Sequence, residues 1–158
     1  MLLGRTANGL FWMARYLERA ENTARLVAVH SELRLDRPDR AGFFWEPVLA
    51  ITGTLEDFRA RGLQQTEREA TNFLLSDLQN PSSLLASSAY ARENIRTLME
   101  ILPRESWEAV NGLHQAAVAG RVARAVDAEH ALADLDDLER AGRPGTGHEV
   151  GRPGAVHL

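Results

Sequence analysis

The segment LFWMARYLERAENTARLV, residues 10–27, carries the strongest structural pattern of the chain. Its apolar residues recur at spacings of three and four, which is the period of an α-helix with one buried face. This pattern predicts a long first helix over about residues 7–35, with Thr6 as its N-cap. The helix should end before Pro38, because proline disfavours helical backbone in the residue that precedes it. The apolar stripe consists of Leu10, Met13, Leu17, Ala20, Ala24 and Val27.

Two further helices are predicted in the middle of the chain. The first spans about residues 46–61 and should end at Gly62, although Gly53 weakens its middle. The next is short and begins at a capping box, in which Thr66 caps the helix and Glu69 reaches back to it.

The second half of the chain continues in the same way. Asn80 can cap a fourth helix, with Pro81 at its first position. Pro103 marks the end of that helix, and a fifth helix begins near Arg104. Since no strand alternation is present, the sequence predicts an all-α fold, a helical bundle of about five helices with short connections.

The chain divides into a predicted helical domain and a tail. Residues 116–140 are rich in alanine and can continue the fifth helix, so the helical domain is expected to cover residues 1–141. Residues 142–158 are rich in glycine and have no apolar period, which predicts a disordered tail.

Composition limits the function classes. The 158 residues suit one domain, and the net charge is −4, which disfavours nucleic-acid binding. There is no cysteine, so disulfides, thiolate metal sites and a cysteine nucleophile are excluded. The chain carries no lysine, so all 18 basic residues are arginine, the residue suited to bidentate pairing. Without a signal peptide or a membrane span in the sequence, we expect a cytoplasmic protein that binds no membrane.

Two clusters of arginine, glutamate and asparagine are the candidate functional residues. We call the cluster on the first predicted helix the first seam; it consists of Arg15, Glu18, Arg19, Glu21, Asn22 and Arg25. We call the cluster on the fourth predicted helix the second seam; it consists of Arg92, Glu93, Asn94 and Arg96.

Two interpretations of the seams stay open. In one, they are solvated helix faces with weak surface ion pairs such as Glu21 with Arg25. In the other, they face each other across the bundle and form a half-buried network that holds an anionic ligand or an acidic segment of a partner.

Other polar groups are weaker candidates. Asn80, Ser82 and Ser83 form either a helix start or an anion site, since the N–H groups at a helix N-terminus attract anions. A carboxylate metal bundle would need Glu-x-x-His pairs, and His30 and His114 lack that partner. We therefore expect no metal and no cofactor, and no catalytic residue can be named. The nearest metal-like spacing is Asp127, His130 and Asp134.

The three tryptophans, Trp12, Trp45 and Trp107, are expected to pack in the core or at helix ends.

Several blocks of the sequence, in order over residues 5 to about 113, resemble the bacterial alpha-E family, an all-α domain named for a Glu-Arg motif. That motif corresponds here to Glu18-Arg19. The blocks are residues 5–25, Trp45-Glu46-Pro47, Phe73-Leu74-Leu75, Asn80-Pro81-Ser82-Ser83, residues 91–96 and Trp107-Glu108.

The resemblance implies a setting and leaves three roles open. Alpha-E proteins look like companions of ATP-grasp-type peptide or amide ligases and of transglutaminase-like proteases. This chain would then be a scaffold that binds a peptide or the ligase through both seams. Alternatively, it is a catalytic subunit in amide-bond formation, with Glu18 or Glu21 as the base, or a fragment without function.

Two departures from the family pattern bear on these roles. Asn8-Gly9 stands where the family more often has Glu-Asn. Family members are longer, and the likeness fades after Leu113, so we expect a truncated or frameshifted member, the alternative being a natural short form with an irregular tail. Missing cover for the apolar surface would then favour self-association.

Overall fold

A computed structural model describes residues 2–36 and 44–120, and these ranges form six α-helices and no strand. The predicted all-α fold is therefore confirmed for this part of the chain. There are six helices where about five were predicted, because one predicted helix is divided in two. The helices are α1 (Leu2–Asp36), α2 (Glu46–Ile51), α3 (Leu55–Ala60), α4 (Glu67–Leu75), α5 (Leu84–Arg96) and α6 (Arg104–Val118).

α1 begins earlier than predicted. It starts at Leu2, so Thr6 lies inside the helix and the prediction of Thr6 as N-cap is wrong. Residues 2–5 contain two leucines and an arginine, which favour helical backbone, and no proline; Gly4 weakens the helix here without ending it. The C-terminal end agrees with the prediction, since the helix stops at Asp36, before Pro38.

The predicted helix over residues 46–61 is interrupted at Gly53. This glycine has φ +69°, a left-handed conformation that ends α2 and is readily adopted by glycine. The Thr54 N–H then donates to the Leu49 carbonyl, at 2.9 Å, and α3 begins at Leu55. Gly62 also has a positive φ, of +65°, and follows α3 as predicted.

Of the two N-caps predicted for α4 and α5, the first is confirmed and the second is wrong. Thr66 caps α4, because its Oγ1 accepts from the Glu69 N–H at 3.3 Å. The Thr66 N–H donates to the Gln64 carbonyl, at 2.7 Å, so half of the predicted capping box is present. The cap of α5 is Ser83, whose Oγ accepts from the Ala86 N–H at 3.1 Å, and the prediction of Asn80 as that cap is wrong.

The last helices are shorter than the sequence pattern suggested. α5 ends at Arg96, and turns occupy residues 97–102 before Pro103. α6 begins at Arg104 as predicted and ends at Val118. The rest of the predicted continuation, from residue 121, and the predicted tail over 142–158 lie outside the described residues.

The core has two parts, both built against α1. The larger part contains Trp45, Phe58, Phe73 and Leu84 together with Ala20 and Val27 of α1. The smaller part lies between α5 and α6 and contains Ala91, Ile95 and Val110, covered by Met13 and Leu17 of α1. α1 is thus the central helix of the fold; α5 is its main neighbour, and α6 packs on α5.

Gly9 allows α1 to approach the turn that follows α5. A Cβ at this position would lie 3.3 Å from Cδ2 of Leu98, which is tighter than an ordinary contact. The departure at Asn8-Gly9 from the family pattern therefore falls where a side chain would meet a neighbouring residue.

Candidate functional site

The first seam lies on the solvent side of α1, and its ion pairs form within the helix. Arg15 Nη1 lies 2.7 Å from Glu18 Oε2, and Arg25 pairs with Glu21. All four of these side chains are more than half exposed. Exposed pairs of this kind contribute little to stability, which leaves the arginines available for other partners.

A groove of about 520 Å³ runs along this face of α1. Its other walls are the end of α2 and the segment before α5. The Thr23 hydroxyl donates to the Ser82 carbonyl, at 3.2 Å, and fixes that segment against α1. Five of the six residues of the first seam take part, Glu21 being the exception. The lining residues are Arg15, Glu18, Arg19, Asn22, Thr23, Arg25, Leu26, Val29, Ile51, Thr52 and Ser82.

The groove is positively charged although the chain is negative overall. Three arginines and one glutamate line it, and Glu21 pairs with Arg25 at its edge, so one positive charge is left without a balancing carboxylate in a chain of net charge −4. Arg19 differs from the other two arginines. Its guanidinium lies 5.8 Å from the centroid of the Tyr16 ring, and among the described residues it makes no salt bridge. The groove therefore presents one guanidinium with no carboxylate partner in this part of the chain.

The second seam is arranged differently. Arg92 is half-buried between α5 and α6, where its Nε donates to Asn111 Oδ1 at 2.8 Å. Its guanidinium lies 5.5 Å from the centroid of the Trp107 ring. Glu93 and Arg96 form an exposed pair at 3.1 Å. Asn94 is also used within α5, because its Nδ2 donates to the Tyr90 carbonyl at 2.8 Å.

The two seams do not form one network. In residues 2–36 and 44–120, no ion pair joins α1 to α5, and none of the second-seam residues lines the groove. The reason is that the apolar faces of α1 and α5 meet each other, as in the smaller core. The interpretation of two facing seams is therefore corrected: the first seam lines the groove, and the second is divided between α6 and solvent.

The Asn80, Ser82 and Ser83 segment is largely committed to backbone contacts. Asn80 is 1% exposed; its Nδ2 donates to the Phe73 carbonyl at 2.9 Å, and its Oδ1 accepts from the Ser82 N–H at 3.0 Å. Ser83 is buried in its cap. Of the three residues proposed for an anion site, Ser82 is the one that lines the groove.

A polar cluster between α5 and α6 was not predicted from the sequence. His114 Nδ1 lies 3.2 Å from the hydroxyl of Ser88, which is fully buried and also donates to the Leu85 carbonyl. Burial, followed by the nearby charge of Arg92, lowers the pKa of His114. One sequence feature could have indicated this cluster: the spacing of Trp107, Asn111 and His114 puts them on one face of α6. The buried hydroxyl indicates a packing role.

The three tryptophans have three environments. Trp45 is 1% exposed in the larger core, and Trp107 packs beside the smaller one. Trp12 is 42% exposed and lies inside α1, so the prediction that it packs in the core or at a helix end is wrong. It lies instead in a row of aromatic rings on the surface of α1 and α5.

Residues 2–36 and 44–120 contain neither a metal-binding cluster nor a membrane-spanning helix. No group of three His, Asp or Glu side chains is placed there to hold a metal ion. The spacing of Asp127, His130 and Asp134 lies outside the described residues. No helix in the described ranges has both the length and the apolar character needed to cross a membrane.

The fold and the groove define an all-α domain with an arginine-lined groove along its first helix. Comparison with known families identifies it further: residues 2–142 match the Alpha-E family, described as a predicted alpha-helical domain with a conserved ER motif. The chain belongs to this family. The match extends beyond residues 5–113, where the motifs were recognised, and Glu18-Arg19 lines the groove. No curated protein and no solved structure matches the chain.

Proposed function

We propose that this chain is a non-catalytic helical module that binds an acidic segment of a peptide or partner protein in the groove along α1. The observation that carries the proposal is the placement of Arg19, a guanidinium that lines the groove and has no salt bridge in the described residues. Its location in a groove of net positive charge favours an anionic ligand.

The chemistry of the lining suits carboxylate side chains on a peptide. Guanidinium groups bind carboxylates through two parallel hydrogen bonds. Arg15 and Arg25 can exchange their exposed intrahelical partners for ligand carboxylates at little cost. The apolar side chains of Leu26, Val29 and Ile51 supply contacts for the aliphatic parts of the ligand.

Membership of the Alpha-E family supports a wider setting for this module. The resemblance implies work beside an ATP-grasp-type ligase and a transglutaminase-like protease, and the sequence expectation of a cytoplasmic protein completes this proposed setting. In that setting the groove would hold the acidic peptide substrate or an acidic segment of the ligase. The first-seam residues that line the groove are the binding residues in this proposal: Arg15, Glu18, Arg19, Asn22 and Arg25.

Binding of a labelled oligoglutamate peptide, measured by fluorescence anisotropy, tests the proposal. Arg19→Ala should weaken binding about ten- to one-hundred-fold, because a charge-assisted hydrogen bond contributes about 1.5–3 kcal/mol. Arg96→Ala is the matched control, since it removes an exposed arginine that lies on α5, away from the groove. Binding should also weaken as salt is raised. Equal affinities of Arg19→Ala and the unmodified chain would refute the proposal.

A second candidate is a catalytic subunit in amide-bond formation. The observation that favours it is that Glu18 lines the groove between two arginines, whereas Glu21 does not. Glu18→Gln should then abolish product formation in the presence of an ATP-grasp-type ligase from the same organism. Unchanged product with normal binding of the oligoglutamate peptide would exclude catalysis by Glu18 and leave the binding module.

A further inference from the structure

Four aromatic rings form a continuous row on the surface beside the groove, which we call the aromatic ladder: Phe11, Trp12, Tyr16 and Tyr90. The ring centroids of Phe11 and Trp12 are 5.3 Å apart, those of Trp12 and Tyr16 5.9 Å, and those of Tyr16 and Tyr90 5.1 Å. Phe11 is 57% exposed, Trp12 42% and Tyr90 43%.

Packing explains only part of this ladder. Tyr16 and Tyr90 join α1 to α5, and Tyr16 covers the smaller core. Trp12 and Phe11 continue the row along α1 toward solvent. Single exposed apolar residues are ordinary, but a contiguous exposed patch with a charged rim is typical of a binding surface.

The aromatic ladder meets the groove at Arg19. The Arg19 guanidinium lies over the Tyr16 ring and also lines the groove. Trp12, Tyr16, Arg19 and Thr23 follow one another at spacings of four, three and four, so they lie along one face of α1. A ligand whose carboxylate binds Arg19 therefore has aromatic surface directly beside that carboxylate.

We propose that the aromatic ladder is the second half of the binding surface, and that the ligand is a peptide segment carrying an aromatic residue three positions from an acidic one. This inference rests on the proposed function of the groove. The acidic side chain binds Arg19, and the aromatic side chain packs against Trp12 and Tyr90.

The spacing follows from geometry. Trp12 and Arg19 are seven residues apart in α1, a rise of about 10 Å. A peptide in the polyproline II conformation rises about 3.1 Å per residue with three residues per turn, so side chains three positions apart share a face and are separated by about 9 Å. The rise along α1 from Trp12 to Arg19 is therefore close to the separation of two peptide residues that lie three positions apart.

Two peptides of equal length and charge test the inference. Both carry a pair of glutamates; one has phenylalanine three positions from the second glutamate, and the other has alanine there. The phenylalanine peptide should bind about three- to ten-fold more tightly, the gain typical of an aromatic contact. It should also change tryptophan fluorescence, and this change should be absent in Trp12→Phe.

Variants locate the contact. The advantage of the phenylalanine peptide should disappear in Trp12→Ala and in Tyr90→Ala, whereas binding of the alanine peptide should not change. Tyr90→Phe, which keeps the ring, should retain the advantage. Met99→Ala is the control, because Met99 is an exposed apolar residue outside the ladder. Circular dichroism and melting curves establish that each variant is folded.

The outcomes separate this inference from the proposed function. If the alanine peptide binds through Arg19 and phenylalanine adds nothing, the aromatic ladder is not part of the site, and the acidic groove stands. An advantage that persists in both Trp12→Ala and Tyr90→Ala would place the aromatic contact elsewhere and overturn the inference. If neither peptide binds, both proposals fail.

Discussion

The first and second seams share a composition but have different environments. Both contain a Glu-Asn dipeptide followed within a few residues by arginine. On α1 these residues line an open groove, whereas on α5 Arg92 is packed against Trp107 and Asn111 of α6. The comparison shows that the same local motif serves recognition or packing according to the neighbouring element. The predictions below test this difference, in order of decreasing effect on stability.

Asn80→Ala should have the largest effect. Asn80 supports the wall of the groove that carries Ser82, and its removal leaves the Phe73 carbonyl and the Ser82 N–H without this partner. Unsatisfied buried groups destabilise, so the free energy of unfolding should fall by about 2–3 kcal/mol, measured by urea denaturation. Gln79→Ala, at an exposed neighbouring position, is the control. A loss well under 1 kcal/mol would show that Asn80 does not hold this wall.

Arg92→Ala should have the next largest effect. It removes the hydrogen bond to Asn111 and the contact with Trp107, and should lower the free energy of unfolding by about 1–2 kcal/mol. Arg96→Ala, on the same helix, should change it by less than about 0.5 kcal/mol, because its ion pair is exposed.

Arg92→Lys sharpens this comparison. It keeps the charge but loses the planar guanidinium, so we expect most of the loss seen in Arg92→Ala. Equal, small changes in the free energy of unfolding for Arg92→Ala and Arg96→Ala would contradict this prediction. Arg92 would then have no larger packing role than an exposed arginine, and the two seams would not differ.

His114 should make the packing of α5 on α6 sensitive to pH. Burial, and secondarily Arg92, lowers the pKa of His114 below its ordinary value of 6.5. The unfolded chain therefore takes up this proton more readily than the folded chain, and the free energy of unfolding should fall as pH is lowered through 6.5. Urea denaturation between pH 7.5 and 5.5 measures the slope. His114→Asn should flatten it, and parallel curves for the two proteins would contradict the prediction.

Arg19→Ala should have the smallest effect on stability. Arg19 makes no salt bridge in the described residues, and its contact with Tyr16 is partly exposed, so the free energy of unfolding should change by less than about 0.5 kcal/mol. Peptide binding should fall in the same sample. A loss above about 1 kcal/mol would give Arg19 a structural role similar to that of Arg92 and remove the distinction between the seams.

The helix ends show which local features can be predicted from the sequence and which cannot. Thr66 and Gly62 act where the sequence placed them, because capping and left-handed glycine are local effects. Thr6 and Asn80 were misplaced as caps. Thr6 is preceded by residues that also accept helical backbone, and Asn80 is buried by its contact with Phe73, which lies seven positions earlier. Such a contact has no local signature.

The groove itself was not predicted, although five of its lining residues belong to the first seam. The polar residues of the first seam were identified, but the opposite wall was not. Ile51 and Thr52 reach it because Gly53 ends α2 there, and Ser82 reaches it through the contact of its carbonyl with Thr23. The exposed position of Trp12 was likewise not predicted, since its spacing on α1 is compatible with a buried stripe.

Local sequence patterns are enough to predict the all-α class, the apolar stripe of α1 and the existence of two polar seams, because periodicity, capping and charge are properties of neighbouring residues. Which seam stays open depends on tertiary contacts. α6 packs against Arg92 and so covers one residue of the second seam, whereas the end of α2 and the Ser82 segment border the first seam without filling it. That outcome depends on which apolar faces pack against each other. Those contacts join residues that are far apart in the chain, so local sequence patterns do not predict them.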